Sequence, residues 1–425
     1  MTTTHRSAPP SAAPDRRLAG PRRALLALTS AIAVLPFFPQ PLVAQEYEFL
    51  GTVELTSVTG HYKDSPVVAV PDDRDTWETD GLILGELQHR FILDEAEFFL
   101  DHAIGAYPAS ATALDGGAGA AGTFPTATTG GAGTGDAAAA TVALVHDLYQ
   151  GYASVHPAPW FTLRAGRQRM NWGTAWTFSV TDALHPQNPD AEVQTGFDGV
   201  SVALRPVPEF SFEFATAIQN AVATRDTADI RYGLYGIAFI APVELGATLV
   251  YQNRTTLRPG VVGSVPIGPV MLVAEGAIEA YDPRGEQMDY QPLWSVGGEY
   301  TWHGTVTDLS LMTEYLYNGL AEHYPETAFG DISVTSDYAG GFARRGYRYL
   351  AAGATLTVLD SWATSHQLLA NLTDESYYVS HSLSMLRIPR VDLEAEVTWN
   401  SGKAGTEFGD LDRDMIVAFR TVVHL

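Results

Sequence analysis

Charged side chains recur at every second position of several segments, where they alternate with apolar side chains. Alternate positions of a β-strand point to the same face, so these residues gather on one side of a sheet. Carboxylates lining a low-dielectric wall perform no reaction, but their field attracts cations and repels anions. The alternative interpretation is a polar wall that is simply solvated and does not select ions. Such a wall would carry the same residues. The alternation assigns the following side chains to the polar face: Glu86, Gln88, Arg90, Glu97, Asp101, Glu213, Glu244, Glu299, Glu314, Asp392, Glu394, Glu396 and Arg420.

Three arginines, Arg164, Arg167 and Arg169, stand out against this acidic background. Arg164 shares a strand face with Trp160 and Thr162, whereas Arg167 has the opposite phase unless a bulge at Gly166 resets it. Two inward arginines would create a transverse field that orients dipolar or anionic solutes. The equally weighted alternative is local pairing with one of three aspartates: Asp182, Asp190 and Asp198.

The polar stretch 169–196 is long enough either to fold inward and narrow a pore or to cap the surface. Its oxygen donors have a spacing that matches no calcium loop, and Asn-Pro-Asp is ordinary turn chemistry. We therefore predict no metal and no cofactor. Isolated Ser and His side chains, such as Ser380 and His381, form no recognisable nucleophile and base pattern, so we predict no catalytic residue.

Two-residue alternation dominates the chain from about residue 45 onward and is clearest in 243–252, 305–317 and 390–400. Each such segment has about ten residues, the span of a tilted strand that crosses a bilayer. Short turns alternate with longer polar connections, as in outer-membrane barrels. The sequence thus predicts an all-β fold, a closed antiparallel up-and-down barrel of about 18 strands. Without the Gly-rich strand near 258–265 the count becomes 16.

A membrane location is favoured because a closed barrel pairs every backbone group without leaving an edge in lipid. Aromatic residues such as Trp160, Trp302 and Trp399 fall near strand ends, where interfacial girdles belong. The alternative is a secreted all-β protein in which the same aromatic residues fill a core.

Composition narrows the function classes. The 425-residue chain has no cysteine, which excludes disulfide scaffolds and zinc-thiolate sites. Its 49 acidic and 25 basic residues give a net charge of −24, which argues against nucleic acid as a partner.

A basic zone followed by the apolar stretch 24–38 predicts a signal peptide over residues 1–44. The barrel is expected over 45–425, with a mobile Ala/Gly/Thr-rich loop at 106–140.

The stretch 163–168, Leu-Arg-Ala-Gly-Arg-Gln, is followed by Asn171-Trp172-Gly173 and later by Asn188-Pro189. Over residues 159–199 this pattern resembles porin-like outer-membrane proteins of the alginate-export type. The resemblance implies an 18-stranded barrel in which Gly-Arg-Gln ends a strand before a long polar loop. The chain differs from that pattern in its C-terminal Leu425 and its few arginines, and the transported solute stays open.

These observations predict an outer-membrane channel for passive diffusion of small polar or ionic solutes, without catalysis. Its expected partners are outer-membrane lipid and those solutes. One alternative is a transporter for a specific oligosaccharide or hydrophobic substrate, and a weaker one is a barrel hydrolase. A homo-oligomer stays open, because alternation does not distinguish a lipid-facing surface from one that faces a neighbouring barrel.

Overall fold

The computed structural model describes most of the chain beyond the N-terminal stretch. The described residues are 46–62, 77–93, 95–108, 142–182, 184, 196–218, 230–252, 256–281, 289–323, 346–359, 361–388, 390–403, 406–409 and 413–425. The predicted signal peptide at 1–44 lies outside them, and so does the predicted loop at 106–140 except for its first three residues.

In the described part of the chain, eighteen strands form the fold, as the alternation predicts. The first nine are β1 Glu46–Tyr62, β2 Trp77–Ile92, β3 Ala96–Pro108, β4 Val142–Ala158, β5 Phe161–Gln168, β6 Phe197–Val207, β7 Phe210–Ala217, β8 Arg231–Ile240 and β9 Val243–Gln252. The second nine are β10 Thr256–Ile267, β11 Val270–Tyr281, β12 Asp289–His303, β13 Thr307–Asn318, β14 Arg348–Val358, β15 Trp362–Asn371, β16 Ser376–Ile388, β17 Val391–Ser401 and β18 Arg413–His424. A short 3₁₀ helix, Gly319–His323, follows β13.

The strands form one closed antiparallel sheet. Each strand pairs with the next in sequence, and β1 also pairs with β18 over a register that runs from Thr52 opposite His424 to Tyr62 opposite Arg413. Closure removes both free edges of the sheet. The prediction of an up-and-down barrel with 18 strands is therefore confirmed, including the Gly-rich strand β10.

Short turns and longer connections alternate along the chain, as the sequence predicts. Two of the connections expected to be long are short instead. Only 253–255 separate β9 from β10, and only 372–375 separate β15 from β16. The sequence also predicts a turn at 156–157, but β4 continues to Ala158 before the chain reverses. Among the described residues, no helix is long and apolar enough to cross a membrane.

Two clusters of buried apolar side chains form where the segment after β5 meets the strands. The first contains Trp172 and Leu184 of that segment with residues of β6, β7 and β9. The second contains Phe178 and Val180 of that segment with residues of β11 to β15, and it extends to Phe408. These clusters fix the segment against the inner wall.

Candidate functional site

Each strand has an exposed apolar face and a polar face. Leu249 of β9 and Ile278 of β11 are 42% and 49% exposed, whereas Thr248 and Glu275, on the opposite faces of the same strands, are buried. In β17, Trp399 is exposed between two buried polar neighbours, as the alternation predicts. An apolar outer band with a polar interior is the arrangement of a transmembrane barrel.

The segment that follows Gln168 crosses the interior of the barrel. We call residues 169–184, without the undescribed Ala183, the inward segment. Phe178 lies ten residues after the end of β5. Its ring packs against Tyr349 of β14, with centroids 5.9 Å apart, and its backbone N–H donates a hydrogen bond to Glu314 of β13. Along the way the segment bonds to Glu213 of β7, Glu275 of β11 and Glu314 of β13, which all lie on inner strand faces, so its path runs through the lumen.

Glu314 is the first of two carboxylates that accept hydrogen bonds from the backbone of the inward segment. It accepts hydrogen bonds from the backbone N–H groups of Trp176, Thr177 and Phe178 at 3.1, 2.9 and 3.0 Å. The residue is 1% exposed. A buried carboxylate is stable only with such partners, and charge-assisted bonds are stronger than neutral ones.

Glu275 is the second anchor, on β11. Its Oε1 accepts from the backbone of Thr174 and, at 2.8 Å, of Ala175. Its Oε2 accepts from the backbone of Val180 at 2.9 Å and from the Thr181 hydroxyl at 2.8 Å. Two carboxylates thus fix the backbone on both sides of Thr177.

Glycines on the wall allow the inward segment to approach it closely. A Cβ atom at Gly233 would lie 2.3 Å from the Trp172 ring, and one at Gly297 would lie 2.9 Å from the Trp176 ring. The Trp172 indole also donates to Glu213 at 3.1 Å. The segment is therefore fitted to the wall by shape as well as by hydrogen bonds.

The inner faces of β17, β18 and β1 carry a different arrangement, which we call the open wall. Arg420 forms ion pairs with Glu54 at 2.9 Å and with Glu394 at 3.3 Å. Nearby, His424 and Asp392 are 2.7 Å apart. The Arg420 side chain is 25% exposed and that of Glu394 is 29% exposed. These groups remain solvated, so their charges act on whatever enters the lumen.

The structure separates Arg164 from Arg167. The pairing of β5 with β6 runs without a shift through Gly166, whose φ is +125°, so the two arginines lie on opposite strand faces. Arg164 lies on the inner face, and its guanidinium lies 4.5 Å from the centroid of the Tyr152 ring. Arg167 is paired with Asp198 through Nε at 2.9 Å and Nη2 at 3.0 Å. The local-pairing alternative thus describes Arg167.

Arg169 begins the inward segment and interacts electrostatically with Asp101, which also interacts with Glu86. The other predicted residues lie on inner strand faces, where Gln88 donates to Glu86 at 3.1 Å and Ser310 donates to Glu299 at 2.8 Å. Strand register places the following predicted residues on these faces: Glu86, Arg90, Glu97, Asp101, Glu213, Glu299, Glu314, Asp392, Glu394, Glu396 and Arg420.

Sequence reasoning misses Glu275, although this residue and Glu279 share one phase of β11. It also misses Glu48 and Glu54, which share one phase of β1. Attention to these two strands would have found all four carboxylates. Their partners were not visible in the alternation, because they belong to neighbouring strands of the barrel or to the inward segment.

Of the oxygen-bearing side chains of 169–196 that were considered as calcium ligands, only one lies among the described residues. Asp182 is buried in the inward segment, whereas Asn188, Asp190 and Glu192 lie outside the described residues. Within the described part of the chain, no group of three His, Asp or Glu side chains is arranged to hold a metal ion.

No protein-family model matches the chain, and no curated protein matches it. Solved barrels resemble it in structure. Acinetobacter baumannii OccAB2 has 12% identity and a TM-score of 0.54 over 91% of this chain and 99% of that chain. The Pseudomonas aeruginosa outer membrane protein OpdK has 10% identity and a TM-score of 0.51 over 91% and 100%. P. aeruginosa OccK2 (OpdF), solved in complex with glucuronate, has 10% identity and a TM-score of 0.51 over 91% and 99%. At these identities the comparison shows a shared fold.

Proposed function

We propose that the chain is an outer-membrane channel of the porin kind, through which small polar or ionic solutes diffuse passively without catalysis. The observation that carries this proposal is a charged inner wall that stays solvated inside a closed barrel. Arg90, on the inner face of β2, still has a side chain that is 43% exposed. The exposed apolar outer face and the shared fold with an outer membrane protein support the same location.

In this proposal the inward segment is the constriction of the channel. It extends from β5 to β13 across the lumen, and Glu275 and Glu314 hold it by its own backbone. A constriction held this way keeps its width, because moving it would leave buried carboxylates without partners.

The channel is proposed to prefer cations. Carboxylates outnumber guanidinium groups on the open wall, where Glu54 and Glu394 pair with Arg420 and Asp392 pairs with His424. A low-dielectric wall concentrates the potential of such charges. In this proposal a field across the lumen comes from Arg164 on the inner face of β5, since Arg167 is held in its ion pair with Asp198.

A solute-specific transporter is the second candidate, and the stacking of the Arg164 guanidinium on the Tyr152 ring is the feature that favours it. The alginate-export resemblance would make the solute an anionic saccharide, and OccK2 was solved with a uronate. The acidic wall opposes a polyanion, so passive diffusion is the stronger proposal.

The proposal has two further parts. The first is export by a signal peptide over 1–44, which N-terminal sequencing tests. The second is assembly into a homo-oligomer, which cross-linking in membranes tests.

Reconstitution in planar lipid bilayers tests the proposed function. The protein purified from the outer membrane of an expressing host should insert with stepwise increases in conductance. In a salt gradient its reversal potential should have the sign of cation preference. Insertion without any conductance would contradict the channel, and a reversal potential of anionic sign would contradict the selectivity.

A further inference from the structure

A continuous row of charged and aromatic side chains crosses the inner faces of β1 to β5. The strand registers place Glu48 opposite Arg90, Arg90 opposite Phe99, and Phe99 opposite Tyr152. Ser154 extends the row, because it pairs with Glu97 on one side and with Arg164 on the other. We call the six side chains that interact along this row the β1–β5 belt: Glu48, Arg90, Glu97, Phe99, Tyr152 and Arg164.

The belt surrounds a cavity that opens into the lumen. Its volume is about 280 Å³ and most of its lining comes from the belt, with Leu50 and Gln88 completing it. Leu50 is 62% exposed although it lies on the inner face of β1. The cavity therefore has an apolar floor beside charged groups, which suits a solute that has both kinds of surface.

The belt as a whole carries two carboxylates and two guanidinium groups, but Arg164 does not line the cavity, and the charges that line it do not cancel. Arg90 donates to Glu48 through Nη1 at 3.2 Å and to Glu97 through Nε at 3.0 Å. One guanidinium faces two carboxylates, so this group of three keeps a net negative charge. The side chains of Glu48 and Arg90 are 42% and 43% exposed, which leaves the group accessible to a solute.

The ring of Tyr152, which lines the cavity, already contacts a cationic group that does not line it. The Arg164 guanidinium lies 4.5 Å from the Tyr152 ring centroid, and Phe99 packs on Tyr152 with ring centroids 5.3 Å apart. Aromatic faces attract cations electrostatically, and guanidinium and ammonium groups use the same attraction. The contact within the protein shows the chemistry that a bound solute would repeat.

We propose that the β1–β5 belt is a binding site for small organic cations that carry an apolar or flat group. The carboxylates of Glu48 and Glu97 attract the cationic group, while Phe99, Tyr152 and Leu50 contact the apolar group. This inference rests on the proposed channel function and adds its solute class. An anion of the same shape lacks the attraction, and a small inorganic cation lacks the apolar contact.

Binding is measured first, on the purified full-length protein in detergent by isothermal titration calorimetry. The probes are phenethylammonium, methylammonium, which lacks the apolar group, and phenylacetate, which has the opposite charge. Phenethylammonium should bind more tightly than either. Glu48→Gln with Glu97→Gln should weaken its binding about fivefold or more, and Tyr152→Leu about threefold.

The matched control is Glu209→Gln with Glu375→Gln, which removes the same two charges from turns outside the belt. It should leave phenethylammonium binding unchanged, and a loss equal to that of the belt variant would overturn the proposal. Binding of phenylacetate as tight as that of phenethylammonium would overturn it as well. So would the absence of phenethylammonium binding to a protein that conducts.

Bilayer recordings separate this proposal from the channel proposal. Phenethylammonium should reduce the potassium current of the unmodified protein in a concentration-dependent way, and the belt variant should need about fivefold more probe for the same block. Binding that responds to the belt variants in a protein without conductance would refute the channel and leave the site standing. Conductance that the probe never blocks would refute the site in the pore.

Discussion

Two regions of the inner wall carry the same residue type in the same alternating pattern and use it differently. Under the inward segment, Glu275 and Glu314 are 4% and 1% exposed, and backbone N–H groups surround them. On the open wall, the side chains of Glu54 and Glu394 are 19% and 29% exposed and share the guanidinium of Arg420. The donors that meet a carboxylate therefore decide whether it anchors structure or supplies a field.

The strongest way to break this comparison is to remove the anchors. Glu275→Ala with Glu314→Ala should release the inward segment, because each substitution leaves buried N–H groups without acceptors and costs about 3 kcal/mol or more of its docking. Single-channel conductance should rise and become noisy. Hydrogen exchange at amides 174–181 should accelerate strongly.

Glu394→Ala with Glu396→Ala removes the same charge from the open wall and serves as the control. It should leave exchange at 174–181 unchanged, because neither residue bonds to the inward segment in the described structure. If the anchor variant kept both the exchange pattern and the conductance of the unmodified protein, the anchoring role would be refuted.

A second test adds volume where the inward segment meets the wall. Gly233→Ala places a Cβ atom within 2.3 Å of the Trp172 ring, and overpacking of this kind costs about 2 kcal/mol. The midpoint of urea unfolding should fall and the tryptophan fluorescence should change. Gly276→Ala is the control, since its Cβ would have no neighbour closer than 3.9 Å. Equal behaviour of the two variants would contradict the close fit.

A third test compares two arginines on β5. Arg167→Ala breaks a two-bonded ion pair with Asp198 and should lower stability by about 1.5 kcal/mol without changing ion selectivity. Arg164→Ala should change the reversal potential toward stronger cation preference with little loss of stability, because its guanidinium lies on the inner face. A selectivity change in the Arg167 variant alone would reverse this assignment.

The smallest effect is expected on the open wall. Replacing Asp392, Glu394 and Glu396 by Asn, Gln and Gln should lower the ratio of cation to anion permeability about twofold, because neighbouring carboxylates remain. The difference from the unmodified protein should vanish in 1 M salt, where the Debye length is about 3 Å. A difference that persists there would indicate a structural change rather than a field.

Much of the barrel could be predicted because its pattern is local. The alternation in β17 and β13 places Glu394 and Glu314 on the inner face, and the structure has them there. The partners of Glu314 could not be predicted, since they are backbone groups of Trp176, Thr177 and Phe178, which lie 136 to 138 residues away in sequence. An acceptor for backbone groups leaves no side-chain signature at the donor positions.

The arginine cluster shows the same limit. Two-residue phase alone indicates that Arg164 and Arg167 point to opposite faces, but a bulge at Gly166 would have reversed that. Only the register of β5 with β6, which depends on the neighbouring strand, decides between the two. Local alternation therefore predicts faces, and pairing across strands determines which charges meet.

One measurement tests the central claim, a water-filled charged lumen inside an apolar outer surface, most directly. The chain has no cysteine, so Leu50→Cys and Leu55→Cys each introduce a single thiol on β1. Both leucines are exposed, 62% and 46%, but Leu50 lies on the inner face and Leu55 on the outer face. A membrane-impermeant cationic thiol reagent should react with Leu50→Cys in bilayers and lower its conductance, while Leu55→Cys stays unmodified. Modification of Leu55→Cys with an unreactive Leu50→Cys would contradict the account.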